Sequence, residues 1–177
     1  MKSNEKIILI DADVISHFIY AGEIITLPTI FKTKIYILDK VYAELERFPN
    51  RKKEVDNILR FKLFELMDFP EDNLEIKMEY TLLKKGLKGE GESACMAIAR
   101  FTGDILASSN LKDTAEYCKR HHINYLTTMD FLCRAYKKEI FSLERCNEFI
   151  AKVLKSRNRL PVTRMQDYRC REIEFIL

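Results

Sequence analysis

Four short apolar runs alternate with stretches long enough to be helices, and this alternation constrains the fold more than any other feature. Residues 6–10, 35–38, 104–108 and 123–126 are apolar without a two-residue period, as strands are when both faces are covered. Asp13 is placed to cap a helix over 14–21 that Gly22 stops, and Asp39 a helix to about residue 48 ended by Pro49. A helix from Asn50 to about 67 sets Val55, Ile58, Leu59 and Leu66 on one face. Further helices are expected over 74–85, 92–101, 110–121, 129–138 and 142–154. The pattern predicts an α/β fold of three layers, a mainly parallel central sheet flanked by helices. No repeat or Gly/Ser linker divides the 177 residues. One domain is expected over 1–155, with a basic extension over 156–177 packed on it and 172–177 a short strand or packed segment.

Several classes are excluded. With 47% hydrophobic residues, five Gly and four Pro, the chain has enough apolar surface to fold and too few breakers for a low-complexity segment. No apolar run approaches the roughly 18–20 residues of a membrane span. Residues 7–10 suit a strand rather than a signal-peptide core, so a cytoplasmic protein is expected. The five cysteines are 23, 15, 13 and 24 positions apart, an odd number without C-x-x-C. With only His17, His121 and His122 beside them, they are expected to be reduced, buried thiols rather than a disulfide framework or zinc site. Residues 151–177 hold seven basic and three acidic groups, net +4, whereas the first 150 hold 23 and 24, net −1. A basic tail on a weakly acidic body is compatible with an anionic partner.

Ligands of parallel sheets bind beyond the carboxyl ends of the strands, and several acids fall there. Asp11 follows the first strand, where Asp13 already fits the cap. Glu44 lies about 60° from Val41 on the edge of a stripe formed with Leu45 and Phe48. Glu92 opens a small-residue helix, where the helix dipole also favours an acid and Glu90 competes for the role. Asn110 and Asp113 follow Ser108 and read equally as a capping box. Convergent carboxylates need hard cations between them, and oxygen ligands of this kind select Mg²⁺ or Mn²⁺. Such ions serve phosphoryl chemistry, so a metal-dependent phosphodiesterase or nuclease follows.

The ordered set Leu9-Ile10-Asp11-Ala12-Asp13, Asp39 to Glu44, Gly89-Glu90-Gly91-Glu92-Ser93-Ala94-Cys95-Met96-Ala97 and Ser108-x-Asn110-x-x-Asp113 resembles PIN-domain nucleases. The likeness is to VapC-type ribonuclease toxins and their relatives, over residues 6–141. It implies that Asp11, Glu44, Glu92 and Asp113 bind Mg²⁺ or Mn²⁺ and activate water for RNA hydrolysis, leaving a 5′-phosphate and a 3′-hydroxyl. Asp13, Ser108 and Asn110 then support them. It also implies an antitoxin-type protein inhibitor and a homodimer as partners. Glu92 departs from the Asp often found at the third position, and the basic tail has no counterpart in the toxins.

Other signals are weaker. Arg51, Lys52 and Lys53 open a helix, where positive charge is mildly unfavourable, and are candidates for RNA phosphates, as are Lys155, Arg157 and Arg159. Gly86-x-x-Gly89-x-Gly91 lacks the ending of a phosphate loop. His17 reads as a helix histidine without a catalytic role. Phe61, Phe64, Tyr117, Tyr136 and Phe141 read as core. The alternatives to a ribonuclease are a catalytically silent PIN-like module that binds RNA or protein and, further off, a small-phosphoester hydrolase.

Overall fold

In the computed structural model, residues 5–86 and 89–175 are described, with the backbone alone at 111–113. The strands β1 (Ile8–Ile10), β2 (Ile35–Leu38), β3 (Glu65–Met67), β4 (Ile105–Ala107) and β5 (Tyr125–Leu126) form one sheet in the order β3-β2-β1-β4-β5. Every pairing is parallel, with Ile8 opposite both Ile35 and Ile105. Ile8, Leu9 and Ile10 are all fully buried, which is why the run carries no polar alternation. The helices are α1 (Ala12–Ala21), α2 (Leu27–Ile30), α3 (Asp39–Leu45), α4 (Pro49–Arg60), α5 (Leu74–Gly86), α6 (Glu90–Thr102), α7 (Leu111–His121), α8 (Thr128–Lys137) and α9 (Leu143–Lys155). The strand order reverses between β1 and β4, so the crevice of this sheet opens where those two strands end.

The expected helix over 50–67 is two elements. α4 starts one residue earlier, with Pro49 at its first position, where a missing N–H costs nothing. It ends at Arg60, and Lys62 at φ 54° turns the chain so that Leu63 N–H returns to Ile58 C=O at 2.9 Å. Phe64 is buried, and residues 65–67 then add β3 to the edge of β2. Leu66 is 49% exposed on this edge strand; its spacing from Leu59 imitated a helical stripe. Phe61 and Tyr136 also face solvent, whereas Phe64 and Phe141 are buried and Tyr117 packs half-buried against the core.

The tail corrects the expectation for the cysteines. Cys133 on α8 and Cys170 form a disulfide across 37 residues of sequence, with Cα atoms 5.8 Å apart. Neither spacing nor motif announces it, because only the fold of the tail over α8 brings the two thiols together. Cys95, Cys118 and Cys146 are free and buried. Beyond α9, Met165 is buried in a single 3₁₀ turn, and Leu160, Val162, Tyr168, Ile173 and Phe175 pack on the same core. Residues 172–175 form no strand; 176 and 177 lie outside the described residues. Among the described residues, no helix is long and apolar enough to cross a membrane.

Candidate functional site

Asp11 is the residue at which β1 ends and α1 begins. Its backbone N–H bonds Ala107 C=O at 2.8 Å, which ties it to the end of β4 at the point where the strand order reverses. It occupies the N-cap position of α1 without a side-chain capping bond, so Asp13 is not the cap that the sequence suggests. Asp13 lies in the first turn instead: one carboxylate oxygen accepts from Val14 N–H at 2.6 Å and the other from Ser109 N–H at 2.8 Å.

Two more acids reach the same place from α3 and α6. Glu44 is half-buried, and its Oε1 accepts Gly91 N–H at 2.9 Å. Glu92 is buried; its Oε1 accepts from Ser108 Oγ at 3.2 Å and Thr114 Oγ1 at 2.7 Å, and its Oε2 from Asn110 Nδ2 at 3.1 Å. Glu90, the competing acid, pairs outward with Lys84. The side chain of Asp113 lies outside the described residues. Thr114 gives no signal in sequence beyond standing one helical turn after Asn110, and sequence reasoning missed it.

Gly91 is required by this junction. A Cβ there would stand 2.8 Å from Val41 Cγ2, 3.1 Å from Val41 Cα and 3.4 Å from Asp11 Oδ1. Gly91→Ala is expected to destabilise by about 1–3 kcal/mol, because α6 must move off α3 to admit the methyl. Thermal unfolding measures it; an unchanged midpoint would mean that the α3–α6 contact is loose.

Burial raises the pKa of Asp11 well above the usual carboxylate range, with Asp13, Glu92 and Glu44 adding repulsion. Burial, then Glu92, raises Asp13 to about 7, against the backbone N–H of Ser109. Asp11 Oδ1 is buried without a hydrogen-bond partner among the described residues. Among the described residues, no three of His, Cys, Asp and Glu converge closely enough to enclose a cation. A buried carboxylate oxygen with no donor, facing further carboxylates, nevertheless has the chemistry of a hard-cation ligand.

His17 is a satisfied core histidine. It is buried, with Nδ1 2.8 Å from Thr128 Oγ1, and burial lowers its pKa to about 4. The unfolded chain therefore takes up a proton near pH 6.5 that the folded chain refuses until about 4. Folding stability should fall by about 3 kcal/mol across that window on this account. Asp11 and Asp13, with raised values, act in the opposite direction, so the measurement is the difference between wild type and His17→Asn. Denaturation curves that stay parallel from pH 7 to 4 would remove His17 as the cause.

The basic candidates are spread out. Arg51 lies 4.2 Å from the Phe48 ring and 5.4 Å from the Tyr20 ring and donates to Tyr20 Oη at 2.7 Å. Lys52 is engaged by Tyr42 Oη at 2.7 Å and Asp56 at 2.9 Å, which offsets its place in the first turns of α4. Lys53 is exposed. Lys152 donates to Ala21 C=O, at the end of α1 about 15 Å from Asp11. Lys155, Arg157 and Arg159 follow it, all exposed.

No protein-family model matches the chain, and no curated protein matches it. Among solved structures, it is similar to a chain in the crystal structure of VapBC2 from Rickettsia felis bound to a DNA fragment from their promoter. The identity is 16% and the TM-score 0.49, over 68% of this chain and 98% of that one.

Proposed function

We propose that the chain is a Mg²⁺- or Mn²⁺-dependent endoribonuclease of the PIN type. The observation that carries the reading is the buried Oδ1 of Asp11, without a hydrogen-bond partner among the described residues, at the sheet's switch point with Asp13, Glu44 and Glu92 around it. Left without a counter-charge, such a group is a standing cost to the fold, and sites that keep one use it. Asp11, Glu44, Glu92 and Asp113 are the residues that would hold the cation. When bound, a divalent ion supplies an activated water and stabilises the leaving oxygen of a phosphodiester.

The chain's own residues prepare that place. Ser108, Asn110 and Thr114 fix the Glu92 carboxylate, Gly91 N–H fixes Glu44, and Ser109 N–H fixes Asp13. The N-termini of α1 and α6 both open at the acids, so two helix dipoles moderate their mutual repulsion. Arg51 with Phe48 and Tyr20 offers a cation and aromatic faces to an RNA strand, and Lys53, Lys155, Arg157 and Arg159 offer further cations. An inhibitory protein of the antitoxin type, which the resemblance to VapC-type toxins implies, belongs to the same proposal.

The test is cleavage of labelled structured and single-stranded RNAs with Mn²⁺, Mg²⁺ or EDTA, beside Asp11→Asn. Discrete products that require metal and fall about 100-fold or more in the variant are expected. No cleavage by folded protein would favour the catalytically silent binding module. Cleavage that survives EDTA or the substitution would overturn the assignment of the site.

A further inference from the structure

The tail beyond α9 is held at few points. Among the described residues, Met165 is its one buried apolar side chain; the others are only partly buried, and the core closes on residues 8–153. Two adjacent residues tie the tail to α8: Cys170 is joined to Cys133, and Arg171 forks onto Asp130. The disulfide therefore secures a lightly packed segment rather than the core, and its opening is a local event.

A cavity of about 270 Å³ adjoins that bond. Cys133, Arg134 and Lys137 line it from one face of α8, and Arg171, Glu172 and Glu174 line it from the tail. Of the two cysteines, Cys133 is the one against the cavity. Arg134 Nε is buried without a hydrogen-bond partner among the described residues, its guanidinium 6.0 Å from the Phe31 ring. Lys137, Glu172 and Glu174 are exposed, and among the described residues none of them forms an ion pair. A buried donor without an acceptor is costly. Two uncommitted cations on one wall and two carboxylates on the other fit a ligand that carries both signs of charge. The volume lies at the small end of the roughly 300–1,000 Å³ of small-molecule sites, so that ligand is no larger than a short peptide.

We propose that the cavity binds a small peptide-like thiol bearing carboxylates and an ammonium group, and that the bound thiol opens the Cys133–Cys170 disulfide and frees the tail. The ligand's carboxylates meet Arg134 and Lys137, and its ammonium meets Glu172 and Glu174. Its thiolate attacks Cys133 Sγ, a new S–S bond forms there, and the old one breaks with its electron pair on Cys170 Sγ. Arg169 and Arg171 flank Cys170 in sequence and favour its departure as a thiolate, which then takes a proton from water. A second thiol of the same class attacks the sulfur of the first, leaving that thiol's own disulfide and a reduced Cys133. Two thiols are oxidised and one protein disulfide is reduced. Because Arg171 stands next to Cys170, the same event loosens the clamp on Asp130. The exchange stands whether or not the acids cleave RNA.

The full chain, prepared without reductant, is mixed with glutathione, uncharged 2-mercaptoethanol or cationic cysteamine at equal thiolate concentrations. Alkylation and peptide mass spectrometry then follow the disulfide and any adduct. Glutathione should react about tenfold faster than 2-mercaptoethanol, with cysteamine the slowest, and its adduct should sit on Cys133. Arg134→Gln and Lys137→Gln, each verified by circular dichroism, should remove most of that advantage and leave the 2-mercaptoethanol rate unchanged. Lys137 is exposed, so its variant reads the site even if Arg134→Gln disturbs the helix. After exchange, trypsin should cut at Arg164 and Arg169 about tenfold faster than in the oxidised chain. A wild type whose Cys133 and Cys170 stay free thiols in air overturns the proposal. So does glutathione no faster than 2-mercaptoethanol, an advantage indifferent to Lys137→Gln, an adduct on Cys170, or a tail equally resistant after exchange.

Discussion

Replacing Arg171 by alanine is expected to cost about 3 kcal/mol of folding stability, read as a lower urea midpoint with unchanged slope. Arg171 forks onto both oxygens of Asp130 at 2.7 Å and donates to Tyr125 C=O at 2.6 Å, with its guanidinium 4.3 Å from the Tyr125 ring. The Asp130 side chain is only 1% exposed. The remaining donors, Thr127 N–H and Oγ1 at 2.7 and 2.8 Å, both go to Oδ2, so truncation strands Oδ1 as a buried charge without a donor. The Arg171 side chain is about a third exposed, which places the cost at the low end of that for breaking a buried pair. Asp130→Asn/Arg171→Met removes both charges together and should return most of the stability. A single variant within about 0.5 kcal/mol of wild type would mean that water replaces the guanidinium freely. Thr128, adjacent to the capping pair Thr127 and Asp130, bonds Ser109 Oγ, and Ser109 N–H holds Asp13. The clamp therefore lies on a continuous path to the acids.

Asp11→Asn should act in the opposite direction, stabilising the metal-free protein by about 1–2 kcal/mol at pH 8 in EDTA. The substitution removes a buried carboxylate whose pKa is held up by burial and by Asp13, Glu92 and Glu44, and supplies an amide that donates where Oδ1 has no donor among the described residues. Millimolar Mn²⁺ should then reverse the ranking. Wild type gains about 2.7 kcal/mol once the ion exceeds its dissociation constant a hundredfold, and the variant gains little. The thermal midpoint in EDTA and in Mn²⁺ reads both halves without an activity assay. A variant less stable than wild type in EDTA would show that Asp11 is a structural residue. A wild type unmoved by Mn²⁺ would remove the cation from the proposed function.

Much of this was legible in the chain. The buried runs at β1, β2, β4 and β5 announced themselves because a strand covered on both faces cannot carry polar alternation. The positions of Asp11, Ser108 and Asn110 were legible because turns after parallel strands face one crevice, whereas Glu44 and Glu92 stand on α3 and α6 and come near Asp11 only through the packing of those helices. Gly91 showed only as a glycine; that Val41 presses on it is a fact of packing between α3 and α6. β3 was not legible, since an edge strand with Leu66 in solvent lacks the apolar run of its neighbours.

Local sequence determined β1, β2, β4 and β5, the helices apart from the end of α4, and the acids beside them, because backbone sterics and the burial of apolar faces act within a few residues. Tertiary structure alone decided the rest. It brought Cys133 to Cys170, gave Asp130 its arginine from 41 residues away and left Asp11 Oδ1 without a donor among the described residues. Those outcomes depend on distances between segments far apart in the chain, and only the closing of the whole core sets such distances.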